Sequence, residues 1–335
     1  AFDISGSSVG VVTIGNLTTA SGSNVNLGAN QLIFGGSVST TIAGSISGVG
    51  GSIVKTGLGT TTLKGANIFS GGTTVSAGTL ALSIDGSLLS TGDVTVTGSS
   101  TFSISALSGP GTTIGSLTTT SGAIVALGTK SLTFGSGSNS TIAGIITGAS
   151  GGSLIKEGSG TVTLLGANTY SGGTTVSVGA LNIQNATALG SGAVSVTSGA
   201  QLQLEGGIAV TNALTLNGTG ISSSGALLNV SGNNTARGTI TLLSATTIGS
   251  TAGTLTLSGD ITGAFDLTLA GPGDVVVSGE VEIASGSLTK LGEGTLTLSD
   301  VSTFSGGTTV NDSGSLLLSG SSSLLSTGSI TLNNT

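Results

Sequence analysis

A hundred residues after it is first written, much of the beginning of this chain is written again. Ile14-Gly15-x-Leu17-Thr18-Thr19 returns as Ile114-Gly115-x-Leu117-Thr118-Thr119, and Thr41-Ile42-Ala43-Gly44 returns as Thr141-Ile142-Ala143-Gly144. Gly65-Ala66-Asn67 then matches Gly166-Ala167-Asn168, so one residue is inserted between the copies. A third copy runs from Ser287 to Val310. Repetition on this scale points to one kind of unit stacked many times, not to a chain wrapped around a unique pocket.

Within the repeats the apolar residues alternate with small polar ones. Thr79-Leu80-Ala81-Leu82, Val94-Thr95-Val96, Val194-Ser195-Val196, Gln201-Leu202-Gln203-Leu204 and Thr295-Leu296-Thr297-Leu298 are examples. Period-2 alternation sends one set of side chains inward and the other outward along a strand. Gly, Ser and Asn punctuate these runs as turn residues, and both prolines lie in Gly-Pro-Gly settings, at Pro110 and Pro272. Strong helix formers are scarce among the 62 glycines. The pattern predicts an all-β chain: a right-handed parallel β-helix (β-solenoid) with no helices of note. Strands stacked about 4.8 Å apart, at roughly 20–25 residues per coil, give about 13–17 coils. A sandwich or antiparallel barrel is the alternative, but tight-hairpin dipeptides such as Asn217-Gly218 are rare.

The expected organisation is one continuous solenoid over 1–335, with internal units of about 1–100, 101–200 and 201–335. The third is longer, and the excess around Gly206 to Gly286 reads as an extra coil or two. Gly314 to Gly328 aligns with Gly78 to Gly92, which sets Thr335 opposite Ser99. The chain thus stops close to where, in repeat register, it starts. It is expected to be a segment of a longer repetitive chain or a subunit that stacks head to tail.

Composition narrows the chemistry. There is no Cys, His, Met or Trp, and Tyr170 is the only tyrosine. Disulfides, thiolate metal sites, thiol nucleophiles and imidazole general bases are therefore excluded. Six Lys and Arg residues against thirteen Asp and Glu leave a net charge of −7, which is no footprint for a nucleic acid. No apolar run is long enough for a membrane helix.

The thirteen carboxylates are scattered singly, most densely at Asp260, Asp266, Asp274, Glu280 and Glu282. Glu280 and Glu282 are expected to share a strand face, where a paired-carboxylate glycosidase site is conceivable. Calcium between aspartates of adjacent coils is conceivable too. Without an aromatic platform or a calcium-binding nonapeptide, neither is adopted. No catalytic, cofactor-binding or metal residue is assigned, no cofactor is expected, and the chain is read as no enzyme.

The sharpest motif is Ile155-Lys156-Glu157-Gly158-Ser159-Gly160-Thr161-Val162-Thr163-Leu164, followed by Gly166-Ala167-Asn168-Thr169-Tyr170-Ser171-Gly172-Gly173-Thr174-Thr175-Val176. It occurs earlier at Val54 to Leu63 and Gly65 to Val75, and later at Thr289 to Leu298 and Thr303 to Val310. In the third copy Asp300-Val301-Ser302 replaces Gly-Ala-Asn, and a local loop change is expected there. Tyr170, Phe69 and Phe304 are equivalent and read as rings plugging the coil. Phe34, Phe134, Phe2 and Phe102 also read as core. Lys55, Lys156 and Lys290 are equivalent and read as a solvated face or an edge guard. The glycine pairs 71–72 and 172–173 are expected to supply positive φ at a corner.

This motif resembles the autotransporter-associated β-strand repeat of passenger regions in bacterial type V secretion. The resemblance implies an exported parallel β-helix on or released from a bacterial cell surface, as a structural rod or filament in display, adhesion or matrix building. The alternative is an adhesin module that recognises a glycan or protein on another cell. The unpaired strand edges of the end coils and the matching termini lead to further copies of itself, end to end, as an expected partner; a cell-surface or matrix ligand is the other.

Overall fold

The structure is a computed structural model that describes residues 1–148, 151–320, 322–326 and 328–333, with backbone alone at 325 and 326. The expected placement of Thr335 opposite Ser99 lies outside these residues. Every described strand pairing is parallel, and no described segment is α-helical; one short 3-10 turn occurs at Ile221–Ser223. The chain is an all-β parallel solenoid, divided into two compact units, Ala1–Gly172 and Gly173–Thr335.

Each coil has up to three short strands on three faces. In the first unit, one face is a sheet whose strands run from Val11–Thr13 through Gln31–Phe34, Ser52–Lys55, Thr73–Val75, Val94–Val96, Leu117–Thr119 and Ser140–Ile142 to Thr161–Leu164. A second face carries Thr40–Ile42, Thr60–Leu63, Thr79–Ile84, Thr101–Leu107, Ile124–Ala126 and Ile145–Thr147. The third begins with Phe2–Asp3, Asn24–Asn26, Ser45–Gly48 and Ile68–Phe69, then resumes with Gly111–Thr113, Ser131–Phe134 and Ser153–Lys156. In the second unit, Gln201–Glu205, Leu227–Ser231, Thr246–Ser250, Leu267–Ala270, Leu288–Leu291, Thr308–Asn311 and Ile330–Asn333 stack on one face.

Register follows from the alternation. Ladder partners Leu32↔Ile53 and Thr74↔Thr95 are each 21 residues apart, one coil. Inward positions form apolar columns: Leu32, Ile53, Val75, Val96, Ile42, Leu80 and Phe102 are all buried. Outward positions form threonine columns such as Thr74–Thr95–Thr118. β-Branched side chains pack well on such a pleated face. A coil alone would leave both strand edges unpaired, so stability comes from its neighbours.

The 100-residue repeat is not a whole number of coils. Val11–Thr13 lies on the first face, whereas its equivalent, Gly111–Thr113, lies on the third. Ser52–Lys55 and Ser153–Lys156 differ in the same way. The motif is thus a module of about one coil that works on more than one face.

Candidate functional site

The motif residues brace the corners between coils, the lysines at the corner that follows the first motif strand. Lys55, Lys156 and Lys290 are buried there, at 0, 0 and 1% exposure, which corrects the expectation of a solvated face. Strand parity explains it: Ile53 and Lys55 share one side of Ser52–Lys55, and so do Leu154 and Lys156 of Ser153–Lys156. Each lysine stem lies in an apolar column, and its ammonium reaches the corner backbone. Lys55 Nζ donates to the carbonyls of Gly57 (2.5 Å) and Ala77 (3.1 Å). Lys156 Nζ donates to those of Glu157 (2.9 Å) and Gly158 (2.8 Å). Lys290 Nζ donates to those of Leu291 (2.9 Å) and Gly292 (2.7 Å). Burial lowers the ammonium pKa at all three, to about 8 at Lys156; at Lys290 the carboxylates of Asp312 and Asp274 oppose the shift.

The asparagine of Gly-Ala-Asn is a second brace, one that sequence reasoning passed over. Asn67 is 2% exposed. Its Oδ1 accepts the Ile46 N–H (3.0 Å), and its Nδ2 donates to the carbonyls of Gly65 (2.9 Å) and Ser87 (2.8 Å). One side chain therefore ties three successive coils at a corner where the strand ladder lapses. Asn168 repeats the contact, accepting the Ile146 N–H at 2.7 Å. In the third copy Ser302 cannot span that gap, and strand Val301–Phe304 forms instead, laddered to Val281 and to Ser323 through Ser326. The expected loop change is a gain of strand.

Tyr170, Phe69 and Phe304 are buried, as are Phe34, Phe102 and Phe134; Phe2 is only half-buried. The glycine pairs need correction. Gly72 has φ 90°, as expected, but Gly71, Gly172 and Gly173 do not lie in the left-handed region. Their constraint is close approach: a Cβ on Gly71 would overlap the Gly50 carbonyl oxygen, and one on Gly172 that of Gly152.

The carboxylates serve the same corner logic. Asp260 Oδ1 accepts the Glu280 N–H (3.1 Å), Asp266 Oδ1 the Ser287 N–H (2.8 Å) and Asp274 Oδ1 the Thr295 N–H (2.8 Å). Each links one coil to the next. Glu282 lies on strand Val281–Ala284 and Glu280 immediately before it, both exposed. A side-chain hydrogen bond with Glu282, its charge and those of Asp300 and Asp260 raise the Glu280 carboxyl pKa. Among the described residues no three acidic side chains come together in a metal-binding group.

Residues 53–82, 154–183 and 288–318 match the family model described as the passenger-associated-transport-repeat. The chain carries three of these repeats. Their bounds hold the buried lysine, the corner asparagine or its serine substitute, the buried ring and the close-packed glycine, so the repeat is a coil-bracing module. The curated proteins give no match to the chain, and neither do the solved structures. No helix among the described residues is long and apolar enough to cross a membrane. The repeats and the solenoid fit an autotransporter-passenger-like structural protein.

Proposed function

We propose that the chain is a non-catalytic structural segment of a passenger secreted to, or displayed on, a bacterial cell surface. Its work is reach: it carries neighbouring segments away from the cell for adhesion or matrix building. The observation that supports this most is where the motif spends its chemistry. Lysine, asparagine, aromatic ring and glycine are all turned inward or against the next coil, while outward positions of the sheets carry threonine columns. Residues that would serve catalysis elsewhere hold coils together here.

The test is surface accessibility in cells expressing the parent gene. Antibody labelling of intact cells, together with removal of the segment by external protease, is expected. Labelling only after permeabilisation contradicts the reading.

The same account includes end-to-end association. On the last described strand, Ile330 and Leu332 are 57% and 68% exposed. A coil of a second copy would cover them. Sedimentation over a range of concentrations tests this: self-association is expected with the wild-type sequence and should weaken when Leu332 becomes Lys.

A further inference from the structure

The second unit has one coil unlike the rest. From Leu202 to its ladder partner Leu227 is 25 residues, against 21 from Leu227 to Ile248. The extra length forms a loop, 219–225, folded back over the outer face of the sheet. Buried Gln201 pins its base, donating from Nε2 to Ser224 Oγ (2.8 Å) and to the Gly225 carbonyl (2.7 Å). The Gly225 N–H closes it onto the Thr219 carbonyl at 2.9 Å. At its tip Ser222 and Ser223 are both left-handed, with φ 50° and 59°. Two adjacent non-glycine residues in that region are strained.

The surface beside this loop also departs from the pattern. In the same sheet one outward column is threonine throughout: Thr247, Thr268, Thr289, Thr309 and Thr331. Two residues further along each strand the column reads Leu228, Gly249, Ala270, Leu291. The loop's Ser224 carbonyl packs directly over Gly249, and the small Ala270 beside it leaves a depression. Ser223 and Ser224 of the loop stand along it, with Thr251 and Pro272 from the following corners. Together with Leu228, Ser250, Ala270 and Gly271 they line a groove of about 240 Å³ without a charged side chain.

We infer that this groove binds a single neutral hexopyranose ring of the β-gluco type. Such a ring carries its hydroxyls equatorially and its C–H bonds axially, so its flat faces are apolar and its rim polar. The floor of Leu228 and Ala270, with the Pro272 ring, matches the face. The hydroxyls of Ser223 and Thr251, both exposed, match the rim. The volume suits one ring, well below a drug-sized pocket. The site sits on an outer face and is independent of the scaffold reading above.

Cellobiose is the probe, titrated into the isotope-labelled full chain and followed by amide and methyl shifts. Shifts confined to 223–228, 250–251 and 270–272 are expected, with a Kd on the order of 1–10 mM, as for one engaged ring of the disaccharide. Ala270→Leu fills the depression and should weaken binding at least about tenfold while circular dichroism is unchanged. Should that variant misfold, Pro272→Ser, at an exposed tip, is expected to show the same direction. Glucuronic acid is expected to bind more weakly than glucose. No shifts at about 100 mM cellobiose, shifts centred elsewhere, or binding that survives these substitutions would overturn the assignment.

Discussion

Lys156 is the ladder partner of Phe134, so an ammonium-bearing side chain occupies the inward column that an aromatic ring fills one coil earlier. Phe34 and Lys55 stand in the same relation, and Val75 follows Lys55. The aliphatic stem continues the apolar column while the charge reaches the corner carbonyls. A hydrophobic residue would pack equally well but leave those carbonyls without a donor.

This arrangement makes stability depend on pH. Lys156 has a pKa near 8 when folded and 10.5 ordinarily. Below pH 8 it is protonated in both states, and the fold bears the cost of the buried charge. Between pH 8 and about 10.5 the unfolded chain holds a proton that the folded chain has released, so stability rises with pH. Lys55 and Lys290 act in the same direction. Urea midpoints from pH 7.5 to 10.5 should climb, and Lys156→Met should flatten the climb. A fall over this range would contradict the account.

Asn67→Ala removes three hydrogen bonds from a buried corner and leaves their backbone partners unmet. A loss of about 2–4 kcal/mol is expected. Hydrogen exchange should show the Ile46 amide, its acceptor gone, losing protection. Ser302→Ala is expected to cost less than about 1 kcal/mol, because strand pairing already serves the backbone there.

Gly172→Ala sets a Cβ against the carbonyl of the preceding coil and should cost about 2 kcal/mol or more. Gly15→Ala has open space and an ordinary φ, so it should change stability by no more than about 0.5 kcal/mol. Denaturation of the two variants side by side separates close approach from general glycine content.

Tyr170→Ala empties a fully buried aromatic site, for which about 3–5 kcal/mol is expected. Since Tyr170 is the only tyrosine and there is no tryptophan, wild-type tyrosine emission reports unfolding of this one coil. Its transition should coincide with that of circular dichroism across the first unit.

The fold was legible because alternation and repetition agree: Thr-Val-Thr-Leu runs need a parallel neighbour, and the copies supply it. The lysines were misread because charge was weighed above parity, although Ile53 and Lys55, two residues apart, must share a face. Gly72 is left-handed as expected, and the other three paired glycines depart from expectation for a different reason. Left-handed φ is a local property, whereas the approach of Gly71 to Gly50 exists only once coils are stacked. Asn67 gave no signal beyond its repetition at Asn168, since its three partners lie on three coils. The loop at 219–225 was visible only as excess length.

The chain contains no cysteine, which allows the register itself to be measured. Thr74 and Thr95 are outward ladder partners on adjacent coils, and Thr118 lies one coil further on. Neighbouring strands about 4.8 Å apart are within disulfide reach, and strands two coils apart are not. Under mild oxidation the Thr74→Cys/Thr95→Cys protein should cross-link while Thr74→Cys/Thr118→Cys stays reduced. Cross-linking of the second pair and not the first would contradict in-register stacking of the coils.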